Sequence, residues 1–155
     1  MGTHAITIFL DEGDTEICRL YRQYDGFLTG HGEELKKALV NGKMVNGIDN
    51  SPGQKFNGSG DLAVQVIAYL KQTSVLNKIH HGHEPELKDL NVLQAGGLYL
   101  YPAGEVDSSE YEYVVSPGQI GKPPNLIVRI YANEIFNGSI KDFDPSRLEE
   151  ETNED

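Results

Sequence analysis

RQYDGFLTGHGEEL, running from Arg22 to Leu35, is the stretch whose reading decides the fold of this chain. A strand-like run enters it, a glycine-punctuated turn crosses it, and an amphipathic helix leaves it. Asp25-Gly26 is a strong turn signal, and Gly30-His31-Gly32 permits positive φ or a close backbone approach. Thr29 or Gly30 is placed to cap the following helix, with Glu33 and Glu34 in its first turn, where carboxylates favour the exposed N–H groups. Leu35, Ala38 and Leu39 give that helix a narrow apolar stripe, and Asn41-Gly42 ends it.

Working outward, Ala5 to Leu10 (AITIFL) is β-branched and aromatic, with Ile6, Ile8 and Leu10 on one face. After the turn Asp11-Glu12-Gly13-Asp14, the run Thr15 to Tyr24 alternates again, with Cys18 and Leu20 opposite Ile17, Arg19 and Tyr21. Two such runs joined by a short loop predict a β-hairpin. Downstream, Asn41 to Gly60 is rich in Gly, Asn and Ser without a period, which predicts a flexible loop or a lid. Asp61 to Gln72 (DLAVQVIAYLKQ) predicts the main helix, capped by Ser59 or Gly60, with adjoining stripes Leu62, Val66, Tyr69 and Ala63, Ile67, Leu70. From Leu98 the period returns to two. Leu98 to Tyr101, Glu110 to Val115 and Leu126 to Tyr131 read as three strands, their tyrosines suited to cross-strand pairing. The order ββααβββ, without strand–helix alternation, predicts an α+β fold: an antiparallel sheet of about five strands with two main helices on one face.

The 155 residues fit one domain, residues 1–141, able to bury roughly 70% of the surface of the unfolded chain. Of the net charge of −11, residues 142–155 carry −6, from seven acids against Arg147, and the body −5. That terminal stretch is expected to be disordered and solubilising. So acidic a chain is unsuited to binding a nucleic-acid backbone. No apolar run approaches the roughly 18 residues of a membrane span, and the N-terminus does not read as a signal peptide. The single cysteine, Cys18, reads as a small core residue in a reducing, cytoplasmic compartment.

The stretch also carries a resemblance. Tyr21-Arg22, Asp25-Gly26-Phe27 and Gly30–Gly32 resemble the YRHxDGYPxGxG pattern of a group of uncharacterised bacterial and phage proteins. In that group a D-L-A helix follows, here Asp61-Leu62-Ala63, and an E-Y-x-Y-x-V strand, here Glu110 to Val115. Gln23 and Leu28 depart from the pattern's His and Pro. The resemblance implies a bacterial or phage cytoplasmic setting and no activity.

Two places invite chemistry. If the strand ends near Tyr24 and the helix begins near His31, then Arg22, Tyr24, Asp25, Gly30, His31 and Gly32 surround one turn. A helix N-terminus beside an Arg and a His suits a small anion, a carboxylate or a phosphate. The competing reading is structural: Asp25 and the glycines serve the turn, and Arg22 pairs with Asp25 or Glu34. The second place is His80, His81 and His83 with Glu84: three imidazoles and a carboxylate within five positions could ligate zinc or nickel. The spacing matches no structural zinc pattern, however, and the better reading is a polar surface loop. No phosphate loop, nucleophile elbow, H-E-x-x-H or dinucleotide fingerprint is present.

The expected function is accordingly a non-enzymatic binding or interaction module, without metal or cofactor. It would recognise a small anionic ligand or a host protein through the Arg22–Gly32 turn, with the 41–60 loop folding over it. The alternatives are a small hydrolase or transferase using His31 and Asp25, with Arg22 holding an anionic group, and a homodimer formed by an exposed sheet edge or a tyrosine face.

Overall fold

Ala5–Leu10 (β1) is apolar on both faces except for Thr7, and this places it at the centre of the sheet, where neither face meets water. The computed structural model describes residues 2–80, 96–105 and 109–153, the side chains of 74–80 excepted. Glu16–Arg22 (β2) pairs antiparallel with β1, as the hairpin reading predicts. Four further strands complete the sheet: Leu98–Pro102 (β5), Tyr111–Ser116 (β6), Asn125–Ile130 (β7) and Asn133–Ser139 (β8). Their order is β5-β2-β1-β6-β7-β8, and Lys43–Val45 (β3) and Lys55–Asn57 (β4) form a separate two-stranded parallel sheet.

The fold is α+β, with a mostly antiparallel sheet. Two details of the expectation are corrected. The main sheet has six strands rather than about five, and it is mixed, because β1 and β6 run parallel, Ala5 opposite Tyr111 and Phe9 opposite Val115. The added strand is β8, whose NEIFNGS sequence carries little periodicity because it is an edge strand with only Ile135 and Phe136 resting on the core.

Three helices cover one face: Glu33–Leu39 (α1), Gly58–His80 (α2) and Pro145–Asn153 (α3). Alternation along the strands selects the residues that meet them. Ala5, Phe9, Leu20, Tyr113, Val115, Leu126 and Val128 pack against Leu35 and Leu39 of α1, Leu62, Val66 and Leu70 of α2, and Leu148 of α3. The intervening residues Ile6, Ile8 and Val114 form a smaller cluster on the opposite face with Leu10, Tyr21 and Ile127. No described helix is long and apolar enough to cross a membrane.

α3 corrects the expectation of a disordered tail over 142–155 as far as Asn153; Glu154 and Asp155 lie outside the described residues. Phe143 and Leu148 are buried there, and the turn at Ile140–Asp142 delivers Phe143 onto the core. Net charge predicted disorder because two well-placed apolar anchors hardly change an average over fourteen residues. The expected 41–60 loop likewise contains β3 and β4. It is held down by Phe56, whose ring lies so close to Gly42 that a Cβ there would sit 2.2 Å from it. The N-terminus of α2 is capped from afar: the Glu12 carboxylate accepts from the Ser59 N–H (2.8 Å) and from its hydroxyl (3.0 Å).

Candidate functional site

Arg22, the last residue of β2, lies on the helix-covered face because it alternates with Leu20 and Cys18. The chain then turns sharply. Asp25 takes the left-handed conformation (φ 59°), and Gly26 passes so near β1 that a Cβ would sit 2.6 Å from the His4 carbonyl carbon. A π-helical turn, Leu28–Gly32, follows and runs directly into α1. It carries His31 under the turn and against the sheet, where the residue is 0% exposed.

Five side chains, from four strands and helices and this turn, meet there. The Arg22 Nη1 reaches His31 Nδ1 (3.2 Å) and forms an ion pair with the Glu34 carboxylate, while Nε donates to the Tyr24 carbonyl (2.5 Å). A guanidinium only donates, so Nδ1 accepts and the ring proton resides on Nε2. That proton faces the Thr7 hydroxyl of β1 at 2.6 Å. Burial first, and then the Arg22 guanidinium, hold His31 well below the ordinary imidazole range. Tyr113 of β6 closes the cluster. Its hydroxyl donates to the Gly26 carbonyl (2.8 Å), and its ring meets His31 edge-on, centroids 4.9 Å apart. Burial pushes the Tyr113 hydroxyl well above the usual phenol range. From outside, α3 reaches the same turn through Glu149, which accepts from the Thr29 hydroxyl, and Phe143, just before α3, packs against Gly32.

The structure thus brings Arg22, His31 and Gly32 together in the interior and leaves Tyr24 and Asp25 exposed above them. The N–H groups offered to an anion by the sequence reading are used within the turn. Gly30 donates to Phe27 (3.0 Å), His31 to Asp25 (2.9 Å) and Gly32 to Phe27 (3.4 Å). Cavities of about 390 Å³ open beside Met44 and Ile120, about 500 Å³ beside Lys122, and about 280 Å³ beside His4 and Tyr131. None of these four is lined by Arg22, Asp25 or His31. What the arrangement does chemically is hold a neutral imidazole and a neutralised guanidinium between a sheet and a helix. Sequence reasoning weighed Glu34 as a partner of Arg22 but missed Thr7 and Tyr113. The one available signal was Thr7 itself, the single polar residue in AITIFL.

Of the second candidate, His80 ends α2, and His81 and His83 lie outside the described residues.

The exposed apolar surface has its own pattern. Among the described residues, Ile17, Tyr24, Tyr99 and Leu100 gather along one margin of the sheet, where β5 pairs with β2. Tyr24 stands beside Gly97 at one end of β5, and Ile17 adjoins the Cys18–Pro102 pair at the other. Comparisons with protein-family models, with curated proteins and with solved structures gave no match.

Proposed function

We propose that this chain is a non-enzymatic interaction protein whose Arg22–Gly32 turn is an internal keystone and whose contacts run through the β2–β5 margin. The observation that carries this reading is the closed network Thr7–His31–Arg22–Glu34, which consumes the groups that acid–base chemistry or anion binding would need. A small anion at Arg22 would have to displace Glu34, so a protein partner is favoured over a small anionic ligand. The bacterial or phage cytoplasmic setting implied by the resemblance belongs to the same proposal.

A random-peptide selection on the intact chain, counter-selected on Leu100→Lys, tests the reading. The expected result is a set of extended, apolar peptides that bind the natural chain and not the variant. The reading fails if no selected peptide is sensitive to Leu100. It also fails if the chain turns over an ester, phosphoester or glycoside in a reaction that His31→Gln abolishes while the melting temperature is unchanged.

A further inference from the structure

The two edges of the main sheet are built differently. β8 carries Glu134 and Gly138, and its pairing with β7 shifts register at Val128/Arg129; charges and irregularities of this kind discourage a further strand from adding. β5 is guarded only at its end. Leu-Tyr-Leu-Tyr holds no charge, and its last residue, Pro102, presents a carbonyl but no N–H, so a second strand meets a full row of donors and acceptors only before it. Its side chains are exposed on both faces, Leu100 at 62% on the helix side and Tyr99 at 48% on the other.

The backbone direction of the edge follows from one hydrogen bond. Gln23 N–H donates to the Gly97 carbonyl at 2.9 Å, so Gly97 faces β2. Alternation along an antiparallel ladder then turns the N–H and C=O of Leu98 and Leu100 outward, away from β2. A row of outward amide groups calls for an extended strand as its occupant. The side chains say which strand, because Tyr99-Leu100-Tyr101 reads the same in both directions about Leu100.

We propose that β5 is the interface of a homodimer in which two copies pair antiparallel, edge to edge, about a two-fold axis through Leu100. In this register Leu100 faces Leu100 as a hydrogen-bonded pair, each donating to the other. Tyr99 faces Tyr101 of the second copy at a non-hydrogen-bonded position, where cross-strand side chains approach most closely. The Tyr21–Tyr99 contact, with centroids 6.1 Å apart, extends across the axis as a continuous aromatic row. Such an interface is isologous and closes on itself, so it ends at two copies rather than growing into a fibre. Its short length makes the association weak and concentration-dependent. The proposal rests on the interaction-protein reading above and narrows its partner to a second copy.

Sedimentation velocity on the intact chain, from low micromolar to millimolar concentration, tests it. The apparent mass is expected to rise from 17.1 kDa toward twice that value. Leu100→Lys and Leu100→Glu, each alone, are expected to stay monomeric with unchanged circular dichroism, since the side chain is exposed, and their mixture is expected to restore the dimer. A chain that is monomeric throughout, or a dimer untouched by Leu100→Lys, overturns the proposal. If the chain is monomeric while the peptide selection still returns Leu100-sensitive strands, the second copy is overturned and the interaction reading stands. If the selection returns none, that reading has failed as well.

Discussion

A neutral histidine locked between a guanidinium and a hydroxyl makes folding sensitive to mild acid. The His31 pKa is lowered in the folded chain, so below the unfolded value of about 6.5 the unfolded state binds the extra proton. Stability is therefore complete above that pH and falls as pH drops below it, by about 1.4 kcal/mol per unit for one proton, until the folded pKa is reached. Carboxylates such as Glu16, lowered by its bond with Arg19, lose their contribution only below their own unfolded range near 4.5. Chemical denaturation between pH 7 and 5 is expected to show the slope, and His31→Gln to flatten it. Thr7→Val leaves the Nε2 proton buried without an acceptor and is expected to cost about 1–3 kcal/mol in the same measurement. Gly30→Ala would force a Cβ to 2.4 Å from the Asp25 carbonyl oxygen, and a destabilisation of about 1–3 kcal/mol is expected. At this scale the sequence marked Arg22 and His31 as unusual and weighed the Glu34 pairing, because all three lie within thirteen residues. Thr7 and Tyr113 come from β1 and β6, and nothing local announces that those strands flank the turn.

At the scale of elements, α3 is held by few anchors, and each is expected to matter. Leu148→Ala should cost about 2–5 kcal/mol in thermal or urea unfolding, as for other buried leucines, whereas the exposed Glu150→Ala should leave stability nearly unchanged. A tail that contributed only charge would show no such contrast. Elements with strong internal periodicity, β1, β2, α1 and the first half of α2, were legible because their patterns span several turns or alternations. β8 and α3 were not, since their apolar residues are few and their role depends on where β7 and the π-helical turn present a surface. The start of α2 illustrates the same limit. Ser59 was a good local candidate for a cap, yet the cap comes from Glu12, forty-seven residues earlier.

Across the whole molecule, the net charge of −11 works against bringing two copies together. Raising the ionic strength from low to high is accordingly expected to strengthen self-association by screening that repulsion, the reverse of what an interface held by ion pairs would show. Sedimentation velocity at two salt concentrations reads the difference. The parallel β1–β6 pair joins residues about a hundred positions apart, which puts β5 on one flank of the hairpin and β6 on the other. By itself the sequence determined the α+β class, the initial hairpin, the main helix and the importance of residues 22–35, because periodicity, turn chemistry and capping act between near neighbours. Only the tertiary structure decided that the sheet is mixed, that the acidic terminus is anchored, and that the unusual residues of the turn face inward. Those outcomes depend on which surfaces meet over long loops, and no local pattern encodes that.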